Sequence, residues 1–94
     1  MNYIQDLVEN KLIFFNFMKE KYPVFFNSNI FFRDIQYAIK YYFKSKNIDL
    51  KYPEAEQICL EFINILINEG VLVKIDNKSF KVNFKQEDSV LEEK

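Results

Sequence analysis

The sequence predicts a mainly helical α+β domain in which three helices are followed by a β-hairpin. Two segments, 30–44 and 53–69, carry apolar residues at the three- and four-residue spacing of a buried helix face. Beyond Gly70, two short runs alternate apolar and polar residues on either side of a corner at 76–78. Helical periodicity that changes to strand periodicity after a glycine predicts this order of elements.

The composition is that of one small globular unit. Of the 94 residues, 49% are hydrophobic and 18% are aromatic, which is enough apolar material for a core. One glycine and two prolines leave no linker-like stretch, so we expect a single domain over 1–85 and an acidic tail over 86–94. The formal net charge of −1 lacks the basic surplus that nucleic-acid binders usually carry.

The first helix is predicted over 2–21, and Pro23 is expected to end it because proline lacks the amide donor. Its apolar stripe consists of Ile4, Leu7, Val8, Phe14 or Phe15, Met18 and Tyr22. Leu12, Ile13 and Phe17 lie off that stripe. They belong either to a helix that the core nearly surrounds or to a second apolar face that meets another chain.

A short extended run at 24–26 is expected to form an edge strand, and 27–29 offer capping side chains for the second helix. That helix is predicted over 30–44. Its buried stripe consists of Phe31, Ile35, Ala38, Ile39 and Tyr42. Its outward side carries Arg33, Gln36, Lys40 and Lys44.

The third helix is predicted over 53–69. Pro53 suits its first turn, Glu54 suits its positive N-terminal end, and Gly70 can adopt the left-handed conformation that closes a helix. Its apolar face consists of Ala55, Ile58, Cys59, Phe62, Ile63 and Leu66. Alternating runs over 71–76 and 80–85 then predict the two strands of the hairpin.

The stretch EAEQICLEFINILINEGVLVKIDNKSFKVNF, residues 54–84, resembles the second half of a winged-helix domain. It has a helix with regularly spaced large apolar residues, a Glu-Gly-hydrophobic-hydrophobic exit and a wing that ends on an aromatic residue. With 30–53 included, the resemblance covers about 55 of the 94 positions. The pattern is similar to DEP-type winged helices, although the tryptophan usual in their second helix is missing between Tyr37 and Phe43.

The resemblance implies a binding scaffold. Most winged helices place the third helix in the major groove of duplex DNA and the wing on the backbone. Others, DEP domains among them, bind proteins or membrane surfaces instead. The fold therefore leaves the type of partner open.

The charge of the third helix decides which partner we favour. Residues 53–70 contain four glutamates and no lysine or arginine, a formal charge of −4, and phosphates would repel them. We therefore expect a protein subunit or a second copy, in a homodimer, as the partner. A polar recognition strip is predicted at Glu54, Gln57, Glu61 and Asn64. An apolar anchor is predicted at Leu12, Ile13 and Phe17.

The alternative is a small, dimeric, DNA-binding transcriptional regulator, in which Gln57 and Asn64 would read bases. Its phosphate contacts would be Arg33, Lys40, Lys44, Lys74, Lys78 and Lys81. The same cations could meet an acidic protein or, as the least favoured partner, an anionic membrane surface. Aromatic residues over 41–43 could stack on single-stranded bases, although their helical spacing favours packing in the core.

The sequence favours neither an enzyme nor a metal or cofactor site. It has no histidine, one glycine and one cysteine, Cys59, which lies on an apolar helix face. A single cysteine allows no disulfide within the chain, and we find no signal peptide and no apolar run long enough to span a membrane. We therefore expect a reducing intracellular compartment, the cytoplasm or the nucleus, and no transmembrane segment.

Overall fold

Helices form more than half of the part of the chain that the structure describes, and a small antiparallel sheet completes the fold. A computed structural model describes residues 2–22 and 24–84, so Pro23 and the predicted tail over 86–94 lie outside the described residues. The elements in chain order are α1 (Tyr3–Glu9), α2 (Lys11–Lys19), β1 (Asn29–Phe31), α3 (Phe32–Lys44), α4 (Tyr52–Asn68), β2 (Leu72–Lys74) and β3 (Ser79–Val82). This is the mainly helical α+β class that the sequence predicts, and the layout is compatible with a winged helix.

The first predicted helix is divided in two at Asn10. Asn2 begins α1, because its side chain accepts a hydrogen bond of 2.9 Å from the Gln5 amide. At Asn10 the side-chain amide donates to the Asp6 carbonyl at 3.0 Å and so competes for a helical acceptor. The helix resumes immediately, and α2 ends at Lys19, before the predicted end.

The edge strand lies at 29–31 rather than at the predicted 24–26. β1 pairs antiparallel with β3, which also pairs with β2, so the sheet order is β1-β3-β2. Asn27 has a left-handed φ of 71°, and its amide donates to the Val82 carbonyl at 2.7 Å. Because residues 26–27 form a turn, the strand that pairs with β3 begins only at Asn29.

Phe31 belongs to β1 and not to the buried stripe of α3. In β1 only Ile30 points inward, whereas Phe31 keeps 51% of its surface exposed. α3 then begins at Phe32 without a side-chain cap, so the predicted caps over 27–29 are not used in that way. The remaining members of the predicted stripe are buried, as expected: Ile35, Ala38, Ile39 and Tyr42.

The predicted end of α4 at Gly70 is confirmed. Gly70 has a φ of 80°, its amide donates to the Ile67 carbonyl at 3.0 Å, and the Val71 amide donates to the Leu66 carbonyl at 2.9 Å. This pair of bonds satisfies carbonyls that the end of the helix would otherwise leave without partners. The predicted apolar face of α4 is also buried throughout.

The wing, residues 72–82, turns at Asp76. One Asp76 carboxylate oxygen accepts from the Lys78 amide at 2.8 Å and from the Ser79 hydroxyl at 2.7 Å, which fixes the corner. Leu72 is the inward residue of β2, whereas Val73 stays exposed. In β3 the inward residues are Phe80 and Val82, as the alternation predicts.

The three long helices meet at Phe14. Its ring lies edge to face with three other rings. The distances between ring centres are 5.4 Å to Phe15, 5.6 Å to Tyr42 of α3 and 5.5 Å to Phe62 of α4. All of these rings are buried. The core thus fixes the outward sides of α2, α3 and α4, which carry the candidate sites.

Candidate interaction surfaces

The polar recognition strip is exposed along one side of α4. All four predicted members, Glu54, Gln57, Glu61 and Asn64, are exposed. Their three- and four-residue spacing follows the turn of the helix, so the buried face opposite holds the strip toward solvent. Within the strip the Gln57 amide donates to the Glu61 carboxylate at 3.2 Å. Next to it, Leu60 keeps 45% of its surface exposed.

The helix around this strip carries no cation of its own. α4 contains three glutamates and no lysine or arginine. The fourth glutamate of the predicted helix, Glu69, lies just beyond the last residue of α4. The charge of Glu69 is partly offset by Lys11, whose ammonium group lies 3.5 Å from the carboxylate. Glu54 is oriented at the other end by the Lys51 amide, which donates to it at 3.4 Å. The exposed side of α4 is therefore a negative surface.

The apolar anchor on α2 is divided between surface and core. Leu12 and Ile13 keep 45% and 60% of their surfaces exposed. Phe17 lies one turn beyond Ile13 but is half-buried, since its ring packs against the Tyr42 ring, with 6.1 Å between the two ring centres. Leu12 and Ile13 thus form the accessible part of the predicted anchor, and Phe17 also supports the core.

The predicted phosphate-contacting residues are divided between one side of α3 and the wing. Arg33, Lys44, Lys74 and Lys78 are exposed, whereas Lys40 and Lys81 are half-buried. Lys40 is held within the fold, because its ammonium group donates to the Leu50 carbonyl and lies 4.9 Å from the centre of the Tyr52 ring. This arrangement gives Lys40 a structural role in joining α3 to the start of α4.

Two of the cations share a depression between β1, α3 and the wing. Arg33 and Lys78 line it from different elements, and Phe31 and Tyr37 contribute aromatic walls. Asp34 and Glu56 also line it, so the depression carries both signs of charge. Burial raises the pKa of Asp34, against the opposing effects of the Phe31 amide and of Arg33. Lys74 lines a second groove, between α4 and the wing, together with Leu60 and Asn64, so this cation lies beside one end of the strip.

The single thiol has no access to solvent. Cys59 is fully buried on the inward face of α4, as the sequence predicts, and its sulfur lies 3.9 Å from the Phe32 carbonyl oxygen. Burial, with a smaller contribution from Glu56, raises the pKa of this thiol far above its ordinary value. A neutral, enclosed thiol is a packing group rather than a nucleophile.

Phe31 is a surface residue, although the sequence pattern assigns it to a buried helix stripe. The signal in the sequence that marks it is the alternation of Asn29, Ile30 and Phe31 along a strand. Phe25 and Phe26, for which the sequence predicts an edge strand, are also exposed, at 54% and 45%. Both differences come from the position of β1, which depends on its distant partner β3.

Comparison of the chain with protein-family models, with curated proteins and with solved structures found no significant match. Within residues 2–22 and 24–84, none of the helices has both the length and the apolar content needed to cross a bilayer.

Proposed function

We propose that the chain is a non-catalytic winged-helix interaction module that docks a protein subunit or a second copy of itself. The observation that carries this proposal is the exposed side of α4. A helix in the third position of a winged helix would enter the major groove of DNA, but here the exposed residues of α4 include glutamates and no cation, and Lys74 of the wing is the cation beside them. Like charges brought together at an interface cost several kcal/mol, so a polyanion is the wrong partner for this side.

The strip has the composition of a protein-binding surface. Glu61 and Gln57 are already oriented toward each other, which lowers the entropy lost when a partner fixes them. Leu60 offers exposed apolar area beside them. A partner with basic and apolar side chains would pair with the carboxylates and cover the leucine.

The anchor on α2 supports the same function. Full burial of a leucine or isoleucine side chain stabilises a complex by roughly 1.5–3 kcal/mol. Leu12 and Ile13 keep about half of their surface exposed, so a partner could still bury that part. Lys11, the residue before Leu12, pairs with Glu69 at the end of α4. The anchor therefore begins close to the helix that carries the strip.

Site-specific photo-crosslinking in the cells that make the protein tests this proposal. A photoreactive amino acid would replace Gln57 in the strip or Ile13 in the anchor, with exposed Asp49 as the matched control position. We expect crosslinks to a protein from the first two positions and not from the control. Crosslinks to nucleic acid from Gln57, or equal protein crosslinks from all positions, would contradict the proposal.

Light scattering on the pure chain separates a homodimer from a complex with another subunit. If the partner is a second copy, Glu61→Arg or Ile13→Asp should weaken the dimer, whereas Asp49→Arg should not. Ile13 is the better anchor position to change, because Phe17 is half-buried and its replacement would also disturb the packing on Tyr42.

The DNA-binding alternative rests on the depression that Arg33 and Lys78 share. A duplex backbone lying across it would be bound by cations from α3 and from the wing. This alternative predicts duplex binding that weakens steeply with salt, and a loss of affinity when Lys78 and Lys81 are both changed to alanine. Fluorescence anisotropy with a labelled duplex at low salt measures both effects.

A further inference from the structure

Three tyrosines form a cluster on the outward side of α3, next to the start of α4. The tyrosine cluster consists of Tyr37, Tyr41 and Tyr52. The rings of Tyr37 and Tyr52 meet edge to face with their centres 6.0 Å apart. Tyr41 and Tyr52 keep 46% and 54% of their surfaces exposed.

Two ammonium groups lie against the exposed rings. Lys21 lies 5.4 Å from the centre of the Tyr41 ring, and Lys40 lies 4.9 Å from the centre of the Tyr52 ring. Cations in these positions are attracted to the negative faces of the rings. The Leu50 carbonyl also holds Lys40 in place. The cluster is thus a preorganised surface of aromatic rings and fixed positive charges.

Further cations extend this surface along α3. Lys44 lies one turn beyond Lys40, and Arg33 lies one turn before Tyr37; both are exposed. Arg33 and Tyr37 together line the depression described above, in which Phe31 is also exposed. Within α3 the cations Arg33, Lys40 and Lys44 outnumber the one carboxylate, Asp34, and Glu56 of α4 also lines the depression.

Two classes of anion could bind here: single-stranded nucleic acid, by stacking bases on the rings, or an acidic peptide. A base that stacks on the ring face facing Lys21 or Lys40 would have to displace that cation. A carboxylate would instead pair with Lys21 or Lys44 while neighbouring apolar side chains contact the ring edges. Tyrosine and arginine are also enriched where proteins recognise proteins. The covered ring faces favour the peptide.

We propose that the tyrosine cluster, with Arg33, Lys21 and Lys44, is a second docking surface, which binds an acidic peptide segment of a partner protein. Its charge is opposite to that of the strip on α4, so the two surfaces select different partners. If this protein used both docking surfaces at once, it would join a basic partner on the strip to an acidic partner on the tyrosine cluster. This inference goes beyond the proposed function and does not depend on it.

Selection from a displayed library of short random peptides tests the inference. The wild-type chain should enrich peptides that combine aspartate or glutamate with apolar residues. For the selected peptides, made synthetically, Tyr41→Ala should raise the Kd about tenfold and Lys44→Glu about fivefold. Tyr41 is exposed in a helix in which alanine is favourable, so this variant keeps the fold, and circular dichroism verifies it.

Two controls separate the inference from general electrostatics and from the proposed function. Lys74→Glu makes the same charge change on the wing and should leave the Kd within about twofold. Glu61→Arg alters the strip on α4 and should leave peptide selection unchanged. The inference is overturned if no acidic peptides are enriched, if Tyr41→Ala has no effect, if Lys74→Glu weakens binding as much as Lys44→Glu, or if oligothymidine of equal length binds more tightly than the peptides.

Discussion

The ammonium group of Lys46 lies 3.2 Å from the Asp6 carboxylate and so joins the turn after α3 to α1. The same carboxylate accepts hydrogen bonds from the Tyr42 hydroxyl and from the Asn10 side chain, each at 3.1 Å. Burial alone raises the pKa of Asp6, but the bonds from Lys46, Asn10 and Tyr42 together outweigh it and leave the pKa lowered. This network connects α1, α2 and α3 outside the apolar core.

Acid should therefore weaken the fold through Asp6. Because the pKa is lower in the folded state, the stabilisation is complete above the unfolded pKa and is lost as the pH falls through the folded pKa. We expect Asp6→Asn to lower the free energy of unfolding at neutral pH by about 1 kcal/mol and to flatten its decline in acid. Urea unfolding across a pH series measures this. Asp49→Asn, at an exposed position, is the control and should reproduce the wild-type curve.

The aromatic junction of the helices should be the most sensitive part of the core. Phe14 is fully buried and contacts rings from α2, α3 and α4. We expect Phe14→Ala to lower the free energy of unfolding by about 3–5 kcal/mol, since the cavity removes contacts on all sides. Ile13→Ala, one residue away but 60% exposed, should change it by less than about 0.5 kcal/mol. Equal effects of the two changes in denaturant unfolding would refute this packing.

The end of α4 should require glycine for backbone reasons alone. Gly70 has a φ of 80°, and a Cβ there would meet no described atom within 4 Å apart from those of its chain neighbours. We expect Gly70→Ala to destabilise the fold by about 1 kcal/mol through left-handed strain, and Gly70→Asn to cost less. Thermal unfolding of both variants decides the point. A larger loss for asparagine than for alanine would indicate crowding instead of strain.

The thiol of Cys59 should react only when the fold opens. It is fully buried, and desolvation raises its pKa, so the thiolate is scarce in the native state. We expect a chromogenic disulfide reagent to label the native chain far more slowly than the urea-unfolded chain. The chain has one cysteine, so the signal is unambiguous. Rapid labelling of the native chain would show that α4 separates from α3 more easily than the packing implies.

The sequence by itself determined α3, α4, the end of α4 and the corner of the wing, but it predicted one helix where the structure has α1 and α2. These features depend on residues a few positions apart: the apolar faces of α3 and α4, the left-handed turn at Gly70, and the Asp76 side chain bonded to Lys78 and Ser79. It also determined that α4 carries no cation, because covalent order fixes the charges of a helix. It predicted the exposure of Leu12 and Ile13 as one of two alternatives.

Only the tertiary structure decided the position of β1, the inward face of β2 and the role of Lys40. A strand is defined by a partner far along the chain, so the alternation at Asn29–Phe31 acquires meaning only beside β3. Leu72 rather than Val73 points inward because of the register with β3. Lys40 is half-buried because its ammonium group contacts the Leu50 carbonyl and the Tyr52 ring, which fold back onto α3. Local periodicity cannot encode such contacts, because they form only when distant segments pack together.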